Sequence, residues 1–358
     1  MKLDDLQLDF SDPRDRHFIG SELHHLLDRY MDQVEDMLME HPARARHWAD
    51  RLPAWLVASR DPAHEARALG LRAATLSATG SFEEAADLID QALAVTPIPA
   101  DLEAWLLGVK ANLRIHEAAF EQAAAVIDLG LEVVDQAFRL KERHKNREPH
   151  KYALEAVKAA LFLARARLLG ESGRLQEAIP WCHEAFVLAP RTYPRGGRYF
   201  RGDNVRAAAL TNLVSLVARV RPKDAIYQLS VLEDLNIRAR RPRQGMVTRA
   251  DLITAWVVGD LQARLGSTRL ATTNLAWACE GLRAMGAQLD ALNCALDLIA
   301  WEHDHEVAAA VVRDAVDDES ISTGLRRAAS AWLASPLTAE TRLLREAMTS
   351  EYQRRRAK

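Results

Sequence analysis

Cysteine, glycine, proline and aromatic residues are all scarce in this sequence, and no long apolar run interrupts it. The three cysteines, Cys182, Cys279 and Cys294, form no C-x-x-C pair, and their odd number speaks against a disulfide framework. No apolar stretch approaches the roughly 18–20 residues that a membrane-spanning helix needs. The opening MKLDDLQLDFSDPRDRH lacks the basic and apolar regions of a signal peptide. The expectation is a cytoplasmic protein. A net charge of −3 gives no global attraction for polyanions.

What is abundant is Ala, Leu, Arg and Glu, all strong helix formers, with no long β-branched alternation. That composition predicts an all-α protein. At 358 residues the chain exceeds the usual single core, so it must be several domains or an extended array. The cations are mostly Arg, whose planar fork suits phosphate or carboxylate, although a GC-rich genome produces the same bias.

The array is visible as a repeated pattern. Ala66–Pro97 reads ARALGLRAATLSATGSFEEAADLIDQALAVTP, and Ala159–Pro190 reads AALFLARARLLGESGRLQEAIPWCHEAFVLAP. Gly80, Ala85, Ile89, Ala92 and Pro97 match Gly173, Ala178, Cys182, Ala185 and Pro190 in offset. Small residues let paired helices approach, and the larger residue one turn on fills the gap. Weaker copies follow the same plan: Ala104–Val134 with Ala118 in place of the turn glycine, then Arg206–Arg238, Leu252–Met285 and Leu289–Asp317. Ahead of them, Ser21–Glu40 predicts an amphipathic helix ended by His41-Pro42. A second helix carrying Trp48, Leu52, Trp55 and Leu56 is expected to be kinked by Pro53. A last helix, Thr338–Ala357, closes the chain.

These windows resemble tetratricopeptide repeats from roughly Ala66 to Asp317, with Leu69 and Phe162 in the family's first-helix aromatic slot. Ala73 and Ala166 replace its first-helix glycine. The overall style is similar to the helical-repeat portion of bacterial regulators. The resemblance implies a right-handed solenoid of about six helix pairs. The expected layout is an N-terminal cap over 1–65, repeats over 66–317 and capping helices over 318–358.

Chemistry-bearing motifs are sparse. No phosphate-binding glycine loop, dinucleotide fingerprint or G-x-S-x-G elbow occurs, and WEHDHE at 301–306 lacks zinc-helix spacing. The expectation is no catalytic set, no metal and no cofactor. In tetratricopeptide arrays the first helices line a groove. The resemblance therefore makes Lys110, Asn112, Arg114, Arg165, Arg167, Asn212 and Arg219 groove candidates. Three basic tracts, 139–151, 191–206 and 238–249, fall at repeat junctions and would gather on one rim. Arg191, Arg195, Arg198, Tyr199, Arg201, Arg240, Arg241 and Arg243 are the rim candidates. Arginines interleaved with Tyr193, Tyr199 and Phe200 can hold phosphates and stack on bases, or simply order a loop.

Together these features favour a non-catalytic scaffold or regulator. Its expected ligand is a protein or peptide with an acidic or carboxylate-bearing segment. Nucleic-acid binding along the rim is the alternative, and the exposed repeat faces also suit self-association.

Overall fold

Leu27, Tyr30, Met31 and Val34 recur at three- and four-residue steps and are all buried, so one stripe of the first described helix faces inward. The computed structural model describes residues 20–40, 42–56, 61–78, 81–142, 149–189, 202–225, 247, 249–301, 306–318, 323–335 and 338–356. Among these residues there are helices and turns and no strand. The chain divides into two compact units, Met1–Arg206 and Ala207–Lys358.

The first unit contains α1 (Gly20–Glu40), α2 (Pro42–Ala49), α3 (Leu52–Leu56), α4 (Pro62–Ala78) and α5 (Phe82–Ala94). It continues with α6 (Ala100–His116), α7 (Phe120–Glu142), α8 (Pro149–Glu171) and α9 (Leu175–Leu188). Helices α4–α5, α6–α7 and α8–α9 form pairs. The first helices also stack on one another, α4 on α6 and α6 on α8, and α1 extends this layer by packing on α4. Gly70 permits one of these contacts. A Cβ there would stand 2.4 Å from Leu106 Cδ2 and 2.5 Å from Trp105 Cζ3.

Helix α10 (Gly202–Val220) carries the division between the units. The second unit holds α11 (Arg249–Arg264), α12 (Thr268–Ala284), α13 (Gln288–Trp301), α14 (Glu306–Asp317), α15 (Thr323–Ala334) and α16 (Thr338–Arg356). Consecutive helices from α11 to α16 pack on one another, and α16 also returns to α13. The core is mainly Ala and Leu with two cysteines and Trp332.

One turn geometry recurs in both units. Gly173, Gly266 and Gly286 have φ of 80, 82 and 71°, and Ala118 takes the same position at φ 55°. Each donates its N–H to the carbonyl three residues back, and the next residue donates to the carbonyl five back. This doubly bonded helix ending needs a left-handed residue, which glycine adopts without strain. Ser81 N–H reaches Leu76 O at 2.9 Å in the corresponding bond of the first pair.

The N-terminal region differs from expectation at one point. The second helix is not kinked at Pro53. It ends at Ala49, and Pro53 sits in the first turn of the separate helix α3. A proline ring clashes with the carbonyl four residues earlier, here Ala49, so the helix stops before it. Tyr30 stacks on Trp48 at 5.4 Å and donates its hydroxyl to Trp48 O at 2.9 Å, which fixes α2 against α1. The expected copy at Arg206–Arg238 lies partly outside the described residues.

Candidate partner-binding surface

In the first unit, Arg167 reaches across the first-helix layer. From α8 it donates to Asn112 Oδ1 at 3.3 Å and contacts His116 Nε2 at 3.1 Å, both on α6. A guanidinium only donates, so Nε2 is the acceptor and the proton of neutral His116 is assigned to Nδ1. Phe82 of α5 stacks on the imidazole at 4.8 Å. Asn112 Nδ2 donates back to Gly108 O at 3.0 Å, which orients its amide. Two groove candidates from the sequence, Asn112 and Arg167, are thus brought together. His116 and Phe82 complete the cluster and are not groove candidates by sequence.

The other first-unit candidates are engaged in ion pairs. Lys110 pairs with Asp90 at 2.7 Å, Arg114 with Glu117 at 2.5 Å and Arg165 with Asp128 at 2.6 Å. Lys110 and Arg165 reach the preceding second helix, as Lys158 does to Asp135 at 2.6 Å. These cations join neighbouring repeats. Arg165 also lies 5.6 Å from the Trp181 ring centre, and Phe162 meets Trp181 edge-on at 5.2 Å. At the end of the unit, Arg206 lies 3.9 Å from the Phe186 ring centre and donates to Phe186 O at 2.8 Å.

A second first-unit network is structural. Arg67, 1% exposed, lies against Asp32 at 2.6 Å, Glu35 at 3.3 Å and Asp28 at 3.5 Å, all on α1. His64 adds contacts to Asp28 at 3.2 Å and Asp61 at 3.6 Å. Burial lowers the guanidinium pKa, but Glu35, Asp32 and Asp28 more than reverse that, leaving it raised. The arginine therefore stays charged and clasps α1 to α4.

In the second unit the candidates Asn212 and Arg219 are exposed on α10. Arg219 acts on Asp297, the centre of a cluster that the sequence did not single out. Trp256 Nε1 donates to Asp297 Oδ2 at 2.8 Å, and Arg345 of α16 approaches its other oxygen at 3.4 Å. Burial raises the Asp297 pKa above its usual value, against the lowering effects of Trp256 and Arg345. Asp260 adds to the rise, and Arg219 opposes it. Among the tryptophans whose side chains are described, Trp277 and Trp301 are left most open, at 38% and 40% exposure, whereas Trp48, Trp105 and Trp332 are packed.

The rim candidates Arg191, Arg195, Arg198, Tyr199, Arg201, Arg240, Arg241 and Arg243 all lie outside the described residues. So do His303 and His305. Among the described residues, no group of three or more His, Cys, Asp or Glu side chains is placed to hold a metal ion. Nor is any described helix long and apolar enough to cross a membrane.

Paired helices, stacked first helices and repeated left-handed turns define a helical-repeat protein with a tetratricopeptide-like fold. Comparison with solved structures agrees. The chain is similar to a signal transduction ATPase with numerous domains (STAND) that carries a tetratricopeptide repeat sensor, from Pyrococcus horikoshii. The TM-score is 0.56 at 12% identity, over 95% of this chain and 50% of that one. BtubC (BKLC) from P. vanneervenii matches with a TM-score of 0.43 at 17% identity, over 74% of this chain and 92% of that one. No family model matches the sequence, and no curated protein matches it.

Proposed function

We propose that this chain is a non-catalytic scaffold or regulatory protein that binds a protein or peptide segment on its first-helix surface. The observation that carries the reading is the Arg167–Asn112–His116 cluster, in which a guanidinium from one first helix is held against an amide and an imidazole of its neighbour. A guanidinium has five N–H donors, so Arg167 has donors beyond those two contacts, and they suit a carboxylate; charge-assisted hydrogen bonds of that kind are about twice as strong as neutral ones. The ligand is therefore an acidic or carboxylate-bearing segment, met in the cytoplasm. The repeat architecture supports the reading, because stacked helix pairs bury their core between neighbours and leave extended surfaces for recognition.

Affinity capture of the tagged full chain from its host, with and without nuclease, tests this. The expected result is one stoichiometric protein that survives nuclease and is lost in the N112A/R167A variant. Partners that vanish with nuclease would replace this reading with nucleic-acid binding.

A further inference from the structure

Two thiols meet between α12 and α13 in the core of the second unit. Cys294 Sγ donates to Leu275 O at 3.5 Å, and Cys279 Sγ lies 3.9 Å from Ala291 O. Leu275 is one helical turn before Cys279, and Ala291 is one turn before Cys294. Each sulfur is therefore aimed at the turn that carries the other. Both residues are completely buried and reduced. Ala278 on α12 and Ala291 and Ala295 on α13, each next to or one turn from a cysteine in sequence, are fully buried in the same cluster. Such residues let two helix backbones approach to the short separation that a disulfide requires.

We propose that Cys279 and Cys294 form a latent cross-linking site, at which a peroxide converts the two thiols into a disulfide tying α12 to α13. One sulfur, as thiolate, attacks a peroxide oxygen. The O–O bond breaks, a sulfenic acid forms, and the departing hydroxide takes up a proton as water. The second thiol then attacks the sulfenic sulfur. The S–S bond forms, the S–O bond breaks, and a second water leaves with the remaining proton. Two thiols are oxidised by two electrons, and one hydrogen peroxide is reduced to two waters.

The environment favours this product over a bound soft metal ion. A disulfide is uncharged and suits an apolar core, whereas a metal site would need two buried thiolates. Burial, then contact with Cys279, raises the Cys294 pKa well above the ordinary thiol value. The closed helix pair therefore protects the thiols, and reaction waits for α12 and α13 to part. The same closure shields the disulfide once it has formed. The tether is slow to make and slow to reduce, unlike an exposed redox sensor.

The test incubates the full chain with hydrogen peroxide at several urea concentrations below the unfolding transition. Free thiols are then alkylated under denaturing, non-reducing conditions and the products mapped by mass spectrometry. The expected result is a peptide joining Cys279 to Cys294, lighter by two hydrogens, whose rate of formation rises with urea. The cross-linked chain should unfold at higher urea, and strong reductant after unfolding should reverse the change. C279A and C294A should each abolish the joined peptide. If either variant folds poorly, the wild-type map decides alone. The proposal is overturned if the two cysteines collect oxygens separately, pair only with other thiols, or stay unreacted in urea that opens the unit. It is equally overturned if the cross-linked form unfolds at lower urea.

Discussion

Arg167 of α8 donates to Asn112 Oδ1 of α6 at 3.3 Å, bridging 55 residues of sequence within one layer of first helices. The pair is half-buried, so its net worth to folding is about 0.5–1.5 kcal/mol. N112A and R167A are each expected to keep the helical circular-dichroism spectrum and to lose no more than about that amount in urea unfolding. A cooperative loss of helix in either variant would make the cluster a folding element.

Ala118 carries a left-handed φ of 55° in a turn where three counterparts are glycine. A118G should therefore stabilise the first unit by about 0.5–1 kcal/mol, read as a higher urea midpoint. G173A, G266A and G286A should each destabilise by about 1 kcal/mol. A Cβ at any of those three meets nothing within 4 Å, so the cost is purely that of the backbone.

Gly70 is a different case. Its Cβ would overlap Leu106 and Trp105, so G70A should cost about 1–3 kcal/mol through overpacking at the α4–α6 contact. The comparison with G266A separates a steric cost from a conformational one.

Removing the Arg67 guanidinium leaves Asp28, Asp32 and Glu35 without the charge they share. R67A should destabilise the docking of α1 by about 1.5–3 kcal/mol, the worth of hydrogen bonds to charged groups. Amide exchange in α1 should accelerate strongly while α8 and α9 retain most of their protection. Unchanged exchange in α1 would remove the clasp from the account.

Asp297 gives a pH dependence of definite sign. Burial raises its folded pKa above the ordinary 3.8, so the folded state binds the proton more tightly than the unfolded state does. Stability from this group is fully present below the ordinary aspartate range. It is lost as pH rises through the folded pKa. D297N removes that titration. Across the same interval wild type should lose stability relative to D297N, measured as paired urea midpoints at several pH values. A difference that is flat with pH would contradict the burial argument.

The helical class and the pairing could be read from sequence because they rest on local signals, namely spacing of apolar residues and turn chemistry. Ala118 was legible as a turn residue from its offset alone. The contacts of Lys110 and Arg165 lie beyond such local signals. Their positions on first helices are evident, but pairing with Asp90 and Asp128 depends on how neighbouring repeats are staggered. Cys279 and Cys294 both fall in apolar slots, yet only the packing of α12 on α13 turns them toward each other. Asp297 was hidden for the same reason, since its partners come from α11 and α16.

The measurement that bears most directly on the account is calorimetric titration of the captured partner into the full chain and into N112A/R167A, at low and moderate salt. The expected result is a single-site isotherm that persists at moderate salt, with affinity reduced at least tenfold in the double variant. Equal affinity for both proteins, or binding that collapses with salt as phosphate contacts do, would contradict it.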